Sequence, residues 1–236
     1  VDILKNYSIS LPSYSIGDNV YDKICEICLP FGKKAICIGG KTAISNVKDL
    51  IIEACCGSEL EILDFLWYGG DATYENVKKL EENELVKKAD IIFGIGGGKA
   101  LDTAKALAFK TGKNIFTFPT IASNCAGTTA VSIMYNDDGS FKEPFFFTAP
   151  PRHCFIYTPV IAKSPARFMW AGIGDTYAKY FEAEMSSRGE DLVHYHALGV
   201  TTSQMCLTPL LKYGKKALED FKSGTASFEV EQVVLD

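Results

Sequence analysis

The chain has 236 residues, of which 47% are hydrophobic and 22% charged, so it can bury a normal core and lacks the composition of a disordered protein. Its formal net charge is -5, and its basic residues nowhere gather with aromatic residues, which excludes nucleic acid as a predicted partner. No apolar run approaches the roughly 20 residues that span a bilayer, so no membrane partner is predicted either.

The cysteines and the two ends of the chain indicate the cellular compartment and where the sequence stops relative to its helices. Eight cysteines lie in apolar stretches, and the start VDILKNYSIS lacks the regions of a signal peptide, which predicts reduced thiols and a cytoplasmic location. Cys25 and Cys28 form a C-x-x-C without a second pair at zinc-ribbon spacing, which favours helix packing over a redox or metal site. The final SFEVEQVVLD is apolar-periodic with no terminating glycine or proline, so we expect the sequence to stop inside a helix.

Short β-rich runs alternate with longer amphipathic runs over the first half of the chain. Runs that are apolar on both faces and bounded by turn residues are predicted strands, at 34–39, 61–68, 90–96 and 114–120. Apolar residues at helical spacing predict helices, at 42–56, 73–89 and 99–112. This alternation predicts an α/β fold with a Rossmann-like, mostly parallel sheet and helices on its faces.

A hairpin and then a helical region follow these elements. AVSIMYNDDGSFKEPFFF, residues 130–147, carries two β-rich runs around an Asp-Asp-Gly turn, and RHCFIYT, residues 152–158, predicts another strand. From Pro165 the pattern is almost continuously helical. We therefore predict an α/β domain at residues 1–164 and the start of an incomplete all-helical domain at 165–236.

The stretch FGIGGGKALDTAK, residues 93–105, places four glycines and a lysine between a buried strand and a helix that begins near Lys99. Glycines let the backbone approach a ligand closely, and a helix N-terminus offers unpaired N–H groups, so an anion site is predicted here. The spacing fits neither the Rossmann pattern, which needs glycine at 99, nor the P-loop, which needs Ser or Thr at 100. The alternative is a glycine turn that only packs the helix on the sheet.

Three stretches together resemble the iron-containing (group III) alcohol dehydrogenases, and within them the glycerol dehydrogenase branch. They are GIGGGKALDTAK, FPTIASNCAGTTAVSIMYNDDG and IAKSPARFMWAGIGDTYAKYFEAE, which match in order and spacing over roughly residues 90–190. The resemblance implies an N-terminal NAD(P)-binding α/β domain, a C-terminal helical domain and a divalent metal, zinc or iron, in the cleft between them. It also implies a homo-oligomer that transfers a hydride between NAD or NADP and a small alcohol or polyol.

The resemblance assigns cofactor roles to residues of this chain. Gly97 and Gly98 would lie under the cofactor pyrophosphate, with Lys99 and Asp102 contributing from the start of the helix. The remaining cofactor positions implied are Thr120 and Ser123 after the strand at 114–120, and Thr129, Val131 and Tyr135 on the segment entering the hairpin. Such convergence is typical of the carboxyl ends of adjacent strands in an open α/β sheet.

Asp175 matches the first metal ligand of the family, whose other ligands are histidines expected after Asp236. Within the chain, His194 and His196 lie about 200° apart on a helix, so they cannot face one ion. They and His153 are expected to pack or to lie on the surface. Because a catalytic divalent ion normally needs about three protein ligands, we expect these 236 residues alone to bind the cofactor at best weakly and to lack dehydrogenase activity.

Two departures from the branch pattern concern specificity. Cys125 stands where glycerol dehydrogenases have a substrate-contacting aspartate, and a thiol binds hydroxyl groups weakly, so the chain is expected to select polyols less strongly. Gly40 and Lys41 stand where a carboxylate would hold the adenosine ribose 2′-OH. NADP is therefore an alternative to NAD, because Lys41 could meet a 2′-phosphate.

Other functions remain open from the sequence. The same architecture serves sn-glycerol-1-phosphate dehydrogenases and dehydroquinate synthase, but a cluster of Lys, Arg and His that would mark a phosphorylated substrate is not evident. A nucleotide-binding fragment without catalysis is the alternative from a different class, and the missing histidines favour it.

Overall fold

A computed structural model describes residues 8–236, so the expectation about a signal peptide concerns mainly residues outside this range. The strands in the described range are β1 (Tyr14–Gly17), β2 (Lys34–Gly39), β3 (Glu61–Trp67), β4 (Ile91–Gly96), β5 (Asn114–Pro119), β6 (Val131–Tyr135), β7 (Phe141–Phe146) and β8 (His153–Tyr157). The α-helices of this range are α1 (Ile24–Cys28), α2 (Lys41–Cys55), α3 (Tyr74–Glu81), α4 (Glu84–Lys88), α5 (Gly98–Thr111), α6 (Thr158–Ala162), α7 (Ala166–Ser186), α8 (His194–Ser203), α9 (Thr208–Lys222) and α10 (Phe228–Leu235).

Six strands form one sheet in the order β1-β8-β5-β4-β2-β3, and every neighbouring pair is parallel. Every residue of β4 is buried, which explains why its sequence IIFGIG is apolar without alternation. The predicted α/β fold with a mostly parallel sheet is confirmed.

The predicted hairpin is also confirmed as the antiparallel pair β6 and β7, outside the main sheet. Its turn contains Gly139 at a φ of +82°, a left-handed conformation that glycine adopts without strain. Asp138 Oδ1 accepts the Ser140 N–H at 2.9 Å and stabilises the turn. The hairpin packs on α5, which positions its residues beside the glycine stretch.

One local prediction differs from the structure, and one strand was not predicted. The predicted helix at 73–89 is two helices, α3 and α4, because the Asn83 side chain accepts the Leu85 N–H at 2.8 Å and caps a new start. The sequence did not predict β1, whose four residues are too few for a local pattern. This strand depends on distant pairing with β8, where Ser13 and Ser15 also hydrogen-bond to His153.

Side chains on the two faces of the sheet enter two separate apolar clusters. Along β2, Ala35 and Cys37 join one cluster, and Ile36 and Ile38 join the other. The first cluster also contains residues of α7, α9 and α10, so the helices near the C-terminus share a core with the sheet. The elements after β8 are all helical, and the domain boundary near residue 164 stays a prediction.

Within residues 8–236, none of the helices has the length and apolar character needed to cross a membrane.

Candidate functional site

A cleft lies where the carboxyl ends of β2 and β4 meet. The chain leaves β2 for β3 on one side and leaves β4 for β5 on the other, which makes this pair a topological switch point. Open α/β sheets bind ligands in the crevice at such a point. Gly40 follows β2, Gly97 follows β4, and both line the cleft, whose volume is about 780 Å³. This volume is in the range of pockets for small ligands and cofactors.

Side chains added to the glycine loop after β4 would displace neighbouring side chains. Gly96 has a φ of +136°, which favours glycine. A Cβ atom at Gly97 would lie 2.4 Å from Ile121 Cδ1, and one at Gly98 would lie 2.5 Å from Asn124 Nδ2. The loop therefore presents bare backbone to the cleft, as close approach of a phosphate requires.

The N-terminus of α5 opens on the same cleft. Gly97 is its N-cap residue, and no side chain of the described residues caps the helix, which leaves N–H groups of the first turn for an anion. Lys99, in the first turn, lies with its Nζ 2.7 Å from Asp71 Oδ2 and 4.7 Å from the centre of the Tyr135 ring. The positive charge at this end of the cleft thus comes from both the helix and a lysine.

A buried ion pair within α5 hydrogen-bonds to the segment that enters the hairpin. Lys105 Nζ lies 3.0 Å from Asp102 Oδ1, and their side chains are 2% and 9% exposed. The same ammonium group donates to the carbonyl oxygens of Val131 and Thr129. Asp102 Oδ2 in turn accepts the Ile133 N–H at 3.2 Å. The pair therefore fixes the segment that enters the hairpin against α5.

Burial changes the proton affinities of both partners of this pair. It raises the pKa of Asp102, and the ammonium of Lys105 opposes that rise. It lowers the pKa of Lys105, and the carboxylate of Asp102 opposes that fall. Each side chain is therefore kept charged by the opposite charge of its partner, in a region from which water is mostly excluded.

Cys125, Ser123 and Asp175 also line the cleft, together with Lys179. Desolvation raises the pKa of the Cys125 thiol, and the carboxylate of Asp175 adds to the rise, so the thiol is neutral at pH 7. Lys179 Nζ lies 3.7 Å from Asp175 Oδ1 and 2.8 Å from Glu182 Oε2. Cys125 and Asp175, which come from a loop and from α7, therefore lie in one environment.

Gly172 brings α7 against the loop that carries Ser123. A Cβ atom there would lie 2.3 Å from the Ala122 carbonyl oxygen and 3.3 Å from Ser123 Cα. Gly172→Ala should therefore displace backbone and destabilise the protein by about 1–3 kcal/mol, measured as the free energy of unfolding in urea.

Gly174→Ala is the matched control, because apart from its chain neighbours and the adjoining backbone of α7 no described heavy atom lies within 4 Å of where its Cβ would be. Alanine is the better helix former, so this control should stabilise the protein by up to about 1 kcal/mol. Equal effects of the two substitutions would contradict the close packing of α7 on the loop.

The metal-binding prediction is only partly matched by the residues present. Asp175 faces the cleft, but residues 8–236 contain no group of three or more His, Cys, Asp or Glu side chains able to hold a metal ion. His153 is buried, with its ring nitrogens 2.7 Å from Ser13 Oγ and 3.0 Å from Ser15 Oγ. The described residues therefore offer one candidate ligand and not a complete site.

Most residues singled out from the sequence meet in this cleft. Those lining it are Gly40, Gly97, Gly98, Lys99, Asp102, Ser123, Cys125, Thr129, Val131, Tyr135 and Asp175. Thr120 is instead buried beneath the loop, where its N–H donates to the Gly96 carbonyl at 3.1 Å. Lys41 lies outside the lining, with its Nζ 4.7 Å from the centre of the Trp67 ring. The binding roles of all these residues stay predictions.

Other residues of the cleft were missed by the sequence analysis. Tyr68 directly follows β3, so the rule that ligands meet strand ends could have identified it. Lys179 lies one helical turn after Asp175, a spacing that places both on one face of α7. Asn124 and Phe168 gave no comparable local signal, because their positions depend on how the loop and α7 pack together.

Residues 12–154 match the sequence profile of the iron-containing alcohol dehydrogenases. The chain belongs to this family. The match covers β1 to β7, the glycine loop and the first two residues of β8, and it confirms the resemblance seen in the sequence.

The family member is similar to glycerol dehydrogenases in particular. It is 36% identical over 171 residues to glycerol dehydrogenase of Thermotoga maritima, which covers 71% of this chain and 47% of the relative. It is 28% identical over 226 residues to glycolaldehyde reductase of Halobacterium salinarum, covering 94% of this chain and 62% of the relative. A crystal structure of a probable glycerol dehydrogenase from Sinorhizobium meliloti aligns with a TM-score of 0.84 at 26% identity, over 97% of this chain and 64% of that one. The chain thus spans about half to two thirds of the length of these relatives.

Proposed function

We propose that this chain forms the cofactor-binding part of an NAD(P)-dependent oxidoreductase that acts on a small alcohol or polyol. The observation that carries the proposal is one cleft lined both by the glycine loop before α5 and by Asp175 of α7. The similarity to glycerol dehydrogenases supports the same substrate class. When bound, the nicotinamide ring would supply the group that accepts or donates the hydride.

The residues of the cleft suit a dinucleotide. The amides around Gly97 and Gly98 would bind the pyrophosphate, since they are uncapped and reach the cleft without a side chain in the way. Thr129 and Val131 would flank the nicotinamide half, held in place by Lys105. Their backbone is fixed before a ligand arrives, which lowers the entropic cost of binding.

The charges of the cleft favour an uncharged substrate. Lys179, which lines the cleft one helical turn from Asp175, already lies 2.8 Å from Glu182 Oε2. A phosphorylated substrate would need cations free to bind it. Cys125 would contact the substrate as a neutral thiol, which disfavours strong selection of a polyol over a simple alcohol.

We propose Asp175 as one ligand of a divalent ion, zinc or iron. Its carboxylate is a hard oxygen donor suited to either ion, but a catalytic site would need further ligands. No step of the reaction is therefore assigned to an ion held by the described residues.

The compartment and the assembly state are further parts of the proposal. All eight cysteines lie within the described residues, and all are free. Burial raises the pKa of Cys28 and of Cys37, which keeps both thiols protonated and unreactive. These features support a reducing compartment such as the cytoplasm, and association into a homo-oligomer is proposed from the family alone.

Titration of the purified chain with NADH and NADPH, followed by nicotinamide fluorescence, tests the proposal. We expect saturable binding of NADH, because the glycine loop is preformed. If Lys41 meets a 2′-phosphate, Lys41→Ala should weaken NADPH and leave NADH unchanged. Binding of neither nucleotide would contradict the assignment of the cleft.

A further inference from the structure

Lys99 is held by an acidic residue from a different part of the chain. Asp71 lies on the loop between β3 and α3, and its Oδ2 is 2.7 Å from Lys99 Nζ. The hydrogen bond from Lys99 to Asp71 raises the pKa of the lysine, so the ammonium is fully charged at pH 7. The Asp71 side chain is 27% exposed and that of Lys99 is 47% exposed, so solvent and ligands can reach both.

The loop that carries Asp71 is itself fixed in place. Gly69 and Gly70 have φ values of +104° and +101°, and a Cβ atom at Gly69 would lie 2.3 Å from Asn76 Cγ. Asn76 Nδ2 donates to the Asp71 carbonyl at 2.9 Å. The Ala72 carbonyl accepts the Tyr135 N–H at 2.9 Å and so ties the loop to the hairpin. The carboxylate is therefore presented to Lys99 by a supported loop.

Lys99 belongs to the cleft. It lies in the first turn of α5, lines the cleft beside Gly98, and its ammonium group lies over the ring of Tyr135. An anionic ligand at the N-terminus of α5 and the carboxylate of Asp71 therefore attract the same ammonium group.

We propose that Asp71 sets the affinity of the cleft for the cofactor, by holding Lys99 with a carboxylate that the cofactor pyrophosphate must displace or share. The inference rests on the proposed function, because it assumes a dinucleotide in the cleft. Asp71 thus opposes binding by occupying the lysine and by adding a negative charge close to an anionic ligand. It acts through Lys99 and is not a catalytic residue.

The test is Asp71→Asn, titrated with ADP, which carries the pyrophosphate, and with adenosine, which does not. Asparagine keeps a carbonyl oxygen to accept the Ala72 N–H that Asp71 Oδ1 now accepts at 2.9 Å, so the loop should keep its shape. Since exposed ion pairs are weak, the dissociation constant for ADP should fall about two- to fivefold. That for adenosine should stay unchanged. Ligand-observed NMR measures both, even for weak binding.

Two further variants make the result specific. In a Lys99→Gln background ADP should bind more weakly, and adding Asp71→Asn should no longer tighten it. Glu59→Gln is the matched control, because it also removes one negative charge and one surface ion pair. Glu59 pairs with Lys33 at the opposite end of the sheet. It should leave ADP affinity unchanged. Raised salt should shrink the effect of Asp71→Asn, because ions screen exposed charges.

Other outcomes would overturn either the role of Asp71 or the proposed function. Unchanged or weaker ADP binding by Asp71→Asn, or equal tightening by Glu59→Gln, overturns the role of Asp71. Weaker adenosine binding by Asp71→Asn would mean that the carboxylate binds the nucleoside directly. If the parent chain binds neither ADP nor NADH, the proposed function itself fails, and the role of Asp71 fails with it.

Discussion

Gly98→Val is expected to abolish dinucleotide binding. The first atom of the new side chain would lie 2.5 Å from Asn124 Nδ2, and its branches would enter the space above the first turn of α5. Loss of two hydrogen bonds to a charged phosphate, at about 1.5 kcal/mol each, corresponds to a dissociation constant raised about 100-fold or more. Fluorescence titration with NADH measures the loss.

Gly199→Val is the matched control for this substitution. Gly199 lies on α8, and apart from its chain neighbours and the adjoining helix backbone no heavy atom of the described residues is within 4 Å of where its Cβ would be. The control introduces the same side chain into a helix away from the cleft, so NADH affinity should be unchanged. If Gly98→Val also kept the parent affinity, the glycine loop would not be the pyrophosphate site.

The fold was largely predictable because its central strands are buried on both faces. The apolar runs that became β2 and β4 carry a signal within a few residues, and the glycines that end them mark the turns. By contrast, β1 exists because it pairs with β8, about 140 residues away. No local pattern records such a partner, and a short strand with polar residues gives little signal of its own.

The site was predictable where it rests on backbone and less so where it rests on side-chain partners. Gly97 and Gly98, which line the cleft, were predicted because glycines between a strand and a helix have a local physical meaning. The ion pair of Lys99 with Asp71 was not predicted, because the two residues are distant in sequence and only the folded loop brings them together. Lys105 resembles a surface lysine of an amphipathic helix, and its burial depends on the hairpin that covers α5.

Lys105→Met is expected to lower the free energy of unfolding more than any other single substitution proposed for this protein. Methionine fills a similar volume but leaves the carboxylate of Asp102, now 3.0 Å from the ammonium, buried without its partner. Breaking a buried pair on one side typically costs about 3–5 kcal/mol. The backbone carbonyls of Thr129 and Val131 would also lose their donor. The free energy of unfolding in urea measures the combined effect.

Two further variants distinguish the effect of leaving a buried charge unpaired from the effect of replacing any lysine of α5 by methionine. Lys110→Met, on the exposed face of the same helix, should change the unfolding free energy by less than about 0.5 kcal/mol. Adding Asp102→Asn to Lys105→Met should restore part of the stability, because an amide is much less costly to bury than an unpaired carboxylate. If the double variant were less stable by the sum of both single losses, the two side chains would not act as a pair. The attachment of the hairpin to α5 would then not require the pairing of the two charges.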